Sequence, residues 1–378
     1  MPQQYPSRPA RIEVDLAALR HNVSVMRTQV SPSLLMAVVK ADAFGHGIIP
    51  IAHAALAAGA EKLAVATVDE AIKLRREGIG ATILNLGWTG PNQIEQAVRD
   101  DIAMTVFDYD NAALIAAAAA KQHKNAVIHV KLDTGLSRLG FPTHSLDFTD
   151  IKRLFSLPNL IVEGIFSHFA CADAPDLSHA EQQLSRFLAF TDTLKAQGIN
   201  IPLRHIANSP ATVIFPASWL DMVRPGIMMY GNCPSEHLRN VLPLKLVMRV
   251  LAQVAQVHTL QPGDTVGYSC RWQASRPSRI ATLPLGYADG VPRLLGNRGF
   301  VLINGCRAPI VGSVTMDLLM VDITDIPAAR AGDEAVIMGS QGAESITPEE
   351  IADHAQTITD EVVSRFGQRL PKLYIGYP

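Results

Sequence analysis

Apolar runs recur along the first part of the chain, with polar, helix-compatible stretches between them. The runs are LLMAVVK (34–40), KLAVATV (62–68), TILNLG (82–87), AMTVF (103–107), AVIHVKLDT (126–134), LIVEGIFSHF (160–169), PLRHIANS (202–209) and DMVRPGIMMYG (221–231). Their near-continuous apolar character suits strands buried on both faces of a parallel sheet. The intervening DEAIKLRREG, PNQIEQAVRD and SHAEQQLSRFLAFTDTLKAQG read as helices, as does the short alanine-rich ALIAAAAAK. Eight strand–helix units in about 230 residues predict a closed (β/α)8 barrel of the TIM type. A doubly wound open sheet usually carries a G-x-G-x-x-G turn after an early strand, and this chain has none.

Beyond roughly residue 240 the pattern changes. LVMRVLAQVAQVHTL, RIATLPLGYADG, FVLINGCRAPIVG, LLMVDITDI and EAVIMG are short β-rich runs. Asn304-Gly305 is a hairpin signal, and QPGD and RAGD mark turns. Thr347 as N-cap, Pro348 at the first helical position and the acids Glu349 and Glu350 predict one late helix. The expected organisation is a cofactor-binding barrel over residues 1–240 and a mainly β domain over 241–378.

A length of 378 residues suits two domains. Hydrophobic residues at 48% and charged residues at 18% favour a large packed core over disorder. The net charge of −2 gives no electrostatic case for nucleic acid or an anionic membrane. No run reaches the ~20 apolar residues of a membrane span, and MPQQYPSRPARIEV lacks the apolar stretch of a signal peptide. Cys171, Cys233, Cys270 and Cys306 fit no paired zinc spacing; buried, reduced thiols are expected. A soluble, cytoplasmic protein is the expectation.

In a (β/α)8 barrel, chemistry gathers at the C-terminal ends of the strands. Those ends supply Lys40, His168, Ser209 and Arg224 with Gly226, while Arg138 follows the fifth run in KLDTGLSRLG. The set holds an amine, an imidazole, a hydroxyl and two guanidiniums. It has no carboxylate cluster for a divalent metal. It suits an anionic, carbonyl-bearing molecule. A lysine at a buried strand end is costly unless its charge is suppressed or paired, and a neutral amine can form a Schiff base. The small residues of ADAFGHG, after Lys40, allow backbone to approach a bound group closely. The bland reading is a solvated rim lysine.

VVKADAFGHG resembles the pyridoxal-phosphate signature of bacterial alanine racemases. The likeness continues through RIEVDLAALRHNV, KLDTGLSRLG, SHFACAD, HIANSPA, VRPGIMMYG, LPLGYADGVPR, VGSVTMDLLMVD and GQRLPKLY, in the family's order and spacing. It implies a barrel plus a β domain in a head-to-tail homodimer with active sites shared between subunits. Lys40 would hold the cofactor, pyridoxal 5′-phosphate, as an internal aldimine and act as one of two bases. Tyr287, in GYADG, would be the second base, reaching the partner's barrel. His168 would contact that tyrosine and Arg224, and Arg224 the pyridine nitrogen. Ser209 and the backbone near Gly226 and Ile227 would bind phosphate. Arg138 and the backbone at Met316 would bind the carboxylate of the amino acid substrate or flank it. Lys131 stands where many members carry a carbamylated lysine, an anion that would orient Arg138. The implied activity is interconversion of L- and D-alanine, which would supply D-alanine to a bacterial cell wall or feed a catabolic D-amino-acid oxidation.

This chain departs from the family pattern at several positions. Phe44 stands where many relatives have a tyrosine whose hydroxyl helps hold phosphate; Tyr374 and Gln368 are the candidate replacements. Asp42 stands where Asn is common. Thr315 and Leu318 flank Met316-Asp317 where Cys or Ser and Gln are frequent. These two keep open a broad-specificity or serine-preferring racemase. A fold-related decarboxylase of basic amino acids usually has a glycine-triplet phosphate loop, and this chain contains no Gly-Gly pair. A cofactor carrier would have no use for a second base.

Overall fold

The computed structural model describes residues 8–143, 148–367 and 369–376. Strand β1 (Ala10–Asp15) precedes the barrel. The barrel strands are β2 (Leu34–Val38), β3 (Lys62–Val65), β4 (Thr82–Asn85), β5 (Ala103–Val106), β6 (Ala126–Asp133), β8 (Leu160–Phe166), β9 (Leu203–His205) and β10 (Met222–Val223). A two-residue β7 (Phe141–Pro142) pairs with β6. Strand order is β10-β2-β3-β4-β5-β6-β8-β9, with every neighbouring pair parallel. The Asp221 and Arg224 amides donate to the Arg204 and Ala207 carbonyls, at 3.1 and 3.0 Å, which joins the two ends of the run. All eight apolar runs thus became barrel strands. Burial on both faces explains their composition: all four residues of β5 are buried.

Helices cover the outside. The helix Val68–Arg76 opens with a capping box between Thr67 and Glu70. The helix Ser178–Ala196 buries Leu184, Phe187, Phe190 and Leu194, an i, i+3, i+6, i+10 stripe that keeps one face on the barrel. Among the described residues no helix is long and apolar enough to cross a membrane.

The second domain is built from β11 (Met248–Gln253), β12 (Gln256–Leu260), β13 (Thr265–Val266), β14 (Trp272–Gln273), β15 (Ser278–Leu283), β16 (Phe300–Ile303), β17 (Cys306–Pro309), β18 (Leu319–Asp322), β19 (Glu334–Gln341), β20 (Glu344–Ile346) and β21 (Lys372–Ile375). Asn304 and Gly305, with φ of 52° and 73°, turn the β16–β17 hairpin. Thr347 caps the late helix Pro348–Ala355 through the Glu350 amide. The main sheet runs β17-β16-β19-β11-β1-β21.

That sheet contains β1, so residues 10–15, which the sequence reading grouped with the barrel, pair with the second domain. The reason is the period of two in ARIEVD. Ala10, Ile12 and Val14 are buried, while Arg11 and Glu13 form ion pairs with Glu334 and Arg249. One expectation is corrected. The four cysteines are free, but Cys171, Cys270 and Cys306 are exposed and Cys233 is half-buried; Cys171 and Cys233 lie in loops, Cys306 starts β17 and Cys270 ends a short turn.

Candidate active site

Lys40 leaves β2 on a left-handed turn. Ala41, Asp42, Ala43 and Phe44 have φ of 53°, 52°, 55° and 53°. An L-residue in that region costs roughly 1–2 kcal/mol, so four in a row need outside support. The Ala41 amide donates to Glu70 Oε1 at 2.6 Å. The Ile48 amide donates to Asp42 Oδ1 at 2.9 Å, and Lys372 Nζ reaches Asp42 Oδ2 at 3.1 Å. Gly45, at φ 81°, lies against the second domain: a Cβ there would stand 2.4 Å from the Val363 carbonyl oxygen. The strand therefore turns tightly because the second domain grips its end. Lys40 is left half-buried, with Nζ 5.8 Å from the centroid of the Phe44 ring. Asp360 is close enough to feel the Lys40 charge, which opposes the upward push of burial on its carboxyl.

Arg224 sits 3% exposed behind this turn. Its Nη2 donates to the Ser167 carbonyl at 2.7 Å and to His168 Nδ1 at 3.3 Å. Its Nη1 donates to His205 Nδ1 at 2.8 Å. Among the described residues no carboxylate pairs with it, and burial pulls its pKa down to about 9, still charged at neutral pH. His168 is held well below the usual histidine range, first by burial and then by Arg224, Lys131, Arg138 and Lys40. It is a neutral imidazole. Because Nδ1 accepts, its proton sits on Nε2.

Lys131 is buried, with Nζ 4.5 Å from the Phe166 ring centroid. Burial and then Arg224 and Arg138 push its pKa well below the lysine range, which favours the free amine. Arg138 is exposed in the loop after β6. Two lysines, two arginines and one imidazole thus share one end of the barrel.

Ser209 follows the N-cap Asn208 of a short helix and is buried. Its Oγ accepts from the Gly226 amide at 2.7 Å and from Met228 at 3.4 Å. Its own hydroxyl hydrogen remains to donate elsewhere. Ile227 opens the 3-10 turn Ile227–Tyr230. The Phe44 ring packs over this corner: a Cβ on Gly226 would meet its Cζ at 3.3 Å. Tyr374 brings its Oη against Gly47, 1.9 Å from an added Cβ, so it stands beside the same turn. Gln368 lies outside the described residues.

Tyr287 is elsewhere on the chain. It is 42% exposed at the start of the 3-10 turn Tyr287–Asp289, and its amide donates to the Thr315 carbonyl at 3.0 Å. Met316 and Leu318 beside it are exposed as well. Gly286 makes this packing possible, because a Cβ there would lie 2.2 Å from the Thr315 carbonyl oxygen.

Sequence reasoning missed His205, His129 and Glu163. Each is a polar residue inside an apolar run, and that contrast was the available signal.

Family models match over most of the chain: alanine racemase, N-terminal domain, over residues 14–234, and alanine racemase, C-terminal domain, over 247–374. The chain belongs to the alanine racemase family. The alanine racemase of Desulforamulus reducens is 44% identical over 370 residues, covering 97% of this chain and 99% of that relative. The enzyme of Syntrophobacter fumaroxidans is 42% identical over 358 residues, covering 94% and 95%. The crystal structure of alanine racemase from D-cycloserine-producing Streptomyces lavendulae superposes with a TM-score of 0.94 at 37% identity and covers 99% of both chains. The Bacillus anthracis alanine racemase with bound L-Ala-P gives 0.92 at 36%, covering 99% and 97%. The family's reaction, racemisation, is an isomerase activity.

Proposed function

We propose that this chain interconverts L-alanine and D-alanine with pyridoxal 5′-phosphate, using Lys40 and the Tyr287 of a second copy as two opposed bases. Arg224 carries this reading: a buried guanidinium braced by neutral histidines, with no carboxylate at its side among the described residues.

The donors fit the cofactor. Ser209 offers a hydroxyl, and the Gly226 and Ile227 backbone lies beside it. Arg224 would face the pyridine nitrogen. A guanidinium donates and does not release its proton there, so that nitrogen would stay unprotonated. Lys40 would hold the cofactor through Nζ. When bound, the cofactor supplies an electron sink that acidifies the α-hydrogen of an attached amino acid.

Inversion then needs a base on one face and an acid on the other. Lys40 Nζ serves one face. Tyr287 is exposed on its own chain, which suits a phenol that completes its site only in a head-to-tail dimer. The Nε2–H of His168 would donate to that phenol oxygen and favour its deprotonated form. Arg138 supplies a cation for the substrate carboxylate, with the Met316 backbone of the second copy beside it. The lowered pKa of Lys131 suits carbamylation, since a free amine is what carbon dioxide attacks; the resulting anion would orient Arg138.

Proton NMR in heavy water tests the reading. Purified protein with added pyridoxal phosphate meets L-alanine, L-serine, L-lysine and L-glutamate separately. Rapid loss of the alanine α-hydrogen signal, with D-alanine formed and the other three slow, supports it. Equal exchange of serine or lysine overturns the alanine preference. No exchange with any of them overturns the catalytic assignment.

A further inference from the structure

A chain of polar groups, buried at Arg224 and the two histidines and half-buried at its end, runs from Arg224 towards the opposite end of the barrel. Arg224 Nη1 donates to His205 Nδ1 at 2.8 Å. Arginine cannot accept, so the His205 proton sits on Nε2, which donates to His129 Nδ1 at 2.9 Å. The His129 proton is then on Nε2 and goes to Glu163 Oε2 at 2.9 Å. The other carboxylate oxygen, Oε1, accepts from Lys62 Nζ at 2.8 Å. Lys62 is the first residue of β3, so the chain ends near the mouth remote from Lys40. Glu163 lies five positions before His168, which follows the end of β8, roughly 16 Å at the rise of an extended chain. Both imidazoles are fully buried, and burial holds both below the usual histidine range. They are neutral, and each has one tautomer consistent with its two neighbours.

The fold makes room for this chain in three ways. The pairing of β6 with β8 matches Ile128 with Val162 but His129 with Gly164, so Glu163 is the extra residue of a bulge. A bulge re-aims a side chain that strand alternation would send to the other face. Gly164 clears the space for the His129 ring, because a Cβ there would lie 2.4 Å from Nδ1. Phe166 stacks flat on His205, with centroids 4.8 Å apart and planes at 2°. Packing alone does not ask for this arrangement, since buried ionic groups can often be replaced by apolar ones with no loss of stability.

We propose that Glu163 is a remote positioning residue for racemisation, setting the tautomers of His129 and His205 so that Arg224 is held in one orientation. The inference rests on the racemase reading of the site. If the His205 proton moved to Nδ1, it would confront the Arg224 Nη1 hydrogen, and the guanidinium would swing away. Glu163 excludes that tautomer by accepting at the far end. It also places a negative charge where the chain from the buried guanidinium terminates.

The test compares the parent with Glu163→Gln and Lys62→Met. Glutamine has one acceptor oxygen for the two donors His129 and Lys62 and carries no charge. Lys62→Met removes the ion pair and leaves the His129 acceptor. Kinetics with L-alanine are paired with nitrogen-15 NMR of histidine-labelled protein, with and without added pyridoxal phosphate. E163Q is expected to lower kcat roughly tenfold, the scale on which outer partners of functional imidazoles act, with KM for alanine near the parent's. It should also lower the share of the Nε2-protonated form of His129 and His205 in both samples, since Arg224 alone then selects it. K62M is expected to keep the parent's tautomers and kcat. An active parent with E163Q unchanged in kcat and tautomers overturns this inference alone. K62M losing as much as E163Q also overturns it, since the ion pair would then be the reason for Glu163. A parent inactive towards alanine overturns the racemase reading, and this inference with it.

Discussion

Gly164 lies with its α-carbon against the imidazole of His129, so close that a methyl group would stand 2.4 Å from Nδ1 and 2.6 Å from Cε1. The ring cannot retreat. His205 holds Nδ1 and Glu163 holds Nε2, both at 2.9 Å. Gly164→Ala should therefore overpack the barrel and destabilise the fold by about 1–3 kcal/mol, the usual penalty for an added methyl in a full core. Urea unfolding followed by circular dichroism measures it. A midpoint equal to the parent's would mean that the ring can shift freely.

Gly45→Ala tests the grip of the second domain on the Lys40 turn. Its φ of 81° is strained for any L side chain, and the Cβ would strike the Val363 and Phe366 carbonyl oxygens at 2.4 and 2.6 Å. Both are backbone and cannot rotate aside. The variant should melt at lower temperature and bind pyridoxal phosphate more weakly, which titration of its absorbance would read. Parent-like cofactor binding would show that the turn forms without that grip.

The proposed sharing of the site between two copies makes a quantitative prediction. Lys40→Ala should lose covalent attachment of the cofactor, read as a visible band that borohydride no longer shifts. Tyr287→Phe should keep attachment but slow α-hydrogen removal from L-alanine. Each variant alone should be nearly inactive. Mixed, dissociated and reassociated in equal amounts, half the dimers are heterodimers with one intact site. About a quarter of parental activity should return, as the symmetry of a two-fold dimer requires. No recovery, with heterodimers demonstrated by mass spectrometry, would mean that Lys40 and Tyr287 do not meet across subunits.

The barrel was legible because strands buried on both faces leave continuous apolar runs, and all eight were readable. Lys40, His168, Ser209 and Arg224 were legible because they stand where those runs stop. β1 was not, since its alternation identifies a strand but not its partners, and those lie beyond residue 240. The left-handed turn was hidden because Ala41, Ala43 and Phe44 have no local preference for positive φ; only Gly45 and Gly47 hinted at it. His129 and Glu163 were hidden within apolar runs. Their meeting depends on a bulge that shifts strand parity, and no local pattern announces one. Tyr287 reads locally as a turn residue, and its assignment as a base came from resemblance.

His46 couples acidity to the Lys40 turn. Its Nδ1 donates to the Ala43 and Phe44 carbonyls, both at 2.9 Å, and its ring packs on Tyr230 at 4.5 Å between centroids. Burial lowers its pKa to about 4, against a backbone pull upward. The folded state therefore binds fewer protons than the unfolded state between the ordinary histidine value near ~6.5 and that lowered value. Stability from His46 is fully present above about pH 6.5 and is lost as pH falls towards 4, by roughly 3 kcal/mol. His129, His168 and His205 are shifted in the same direction, so the whole protein should weaken steadily on acidification. His46→Asn keeps a donor near the two carbonyls and removes the titration. It should be less stable at pH 7.5 through lost packing, yet show a shallower fall in urea midpoint from pH 6.5 to 4. Parallel slopes for the variant and the parent would remove His46 from the acid response of the turn.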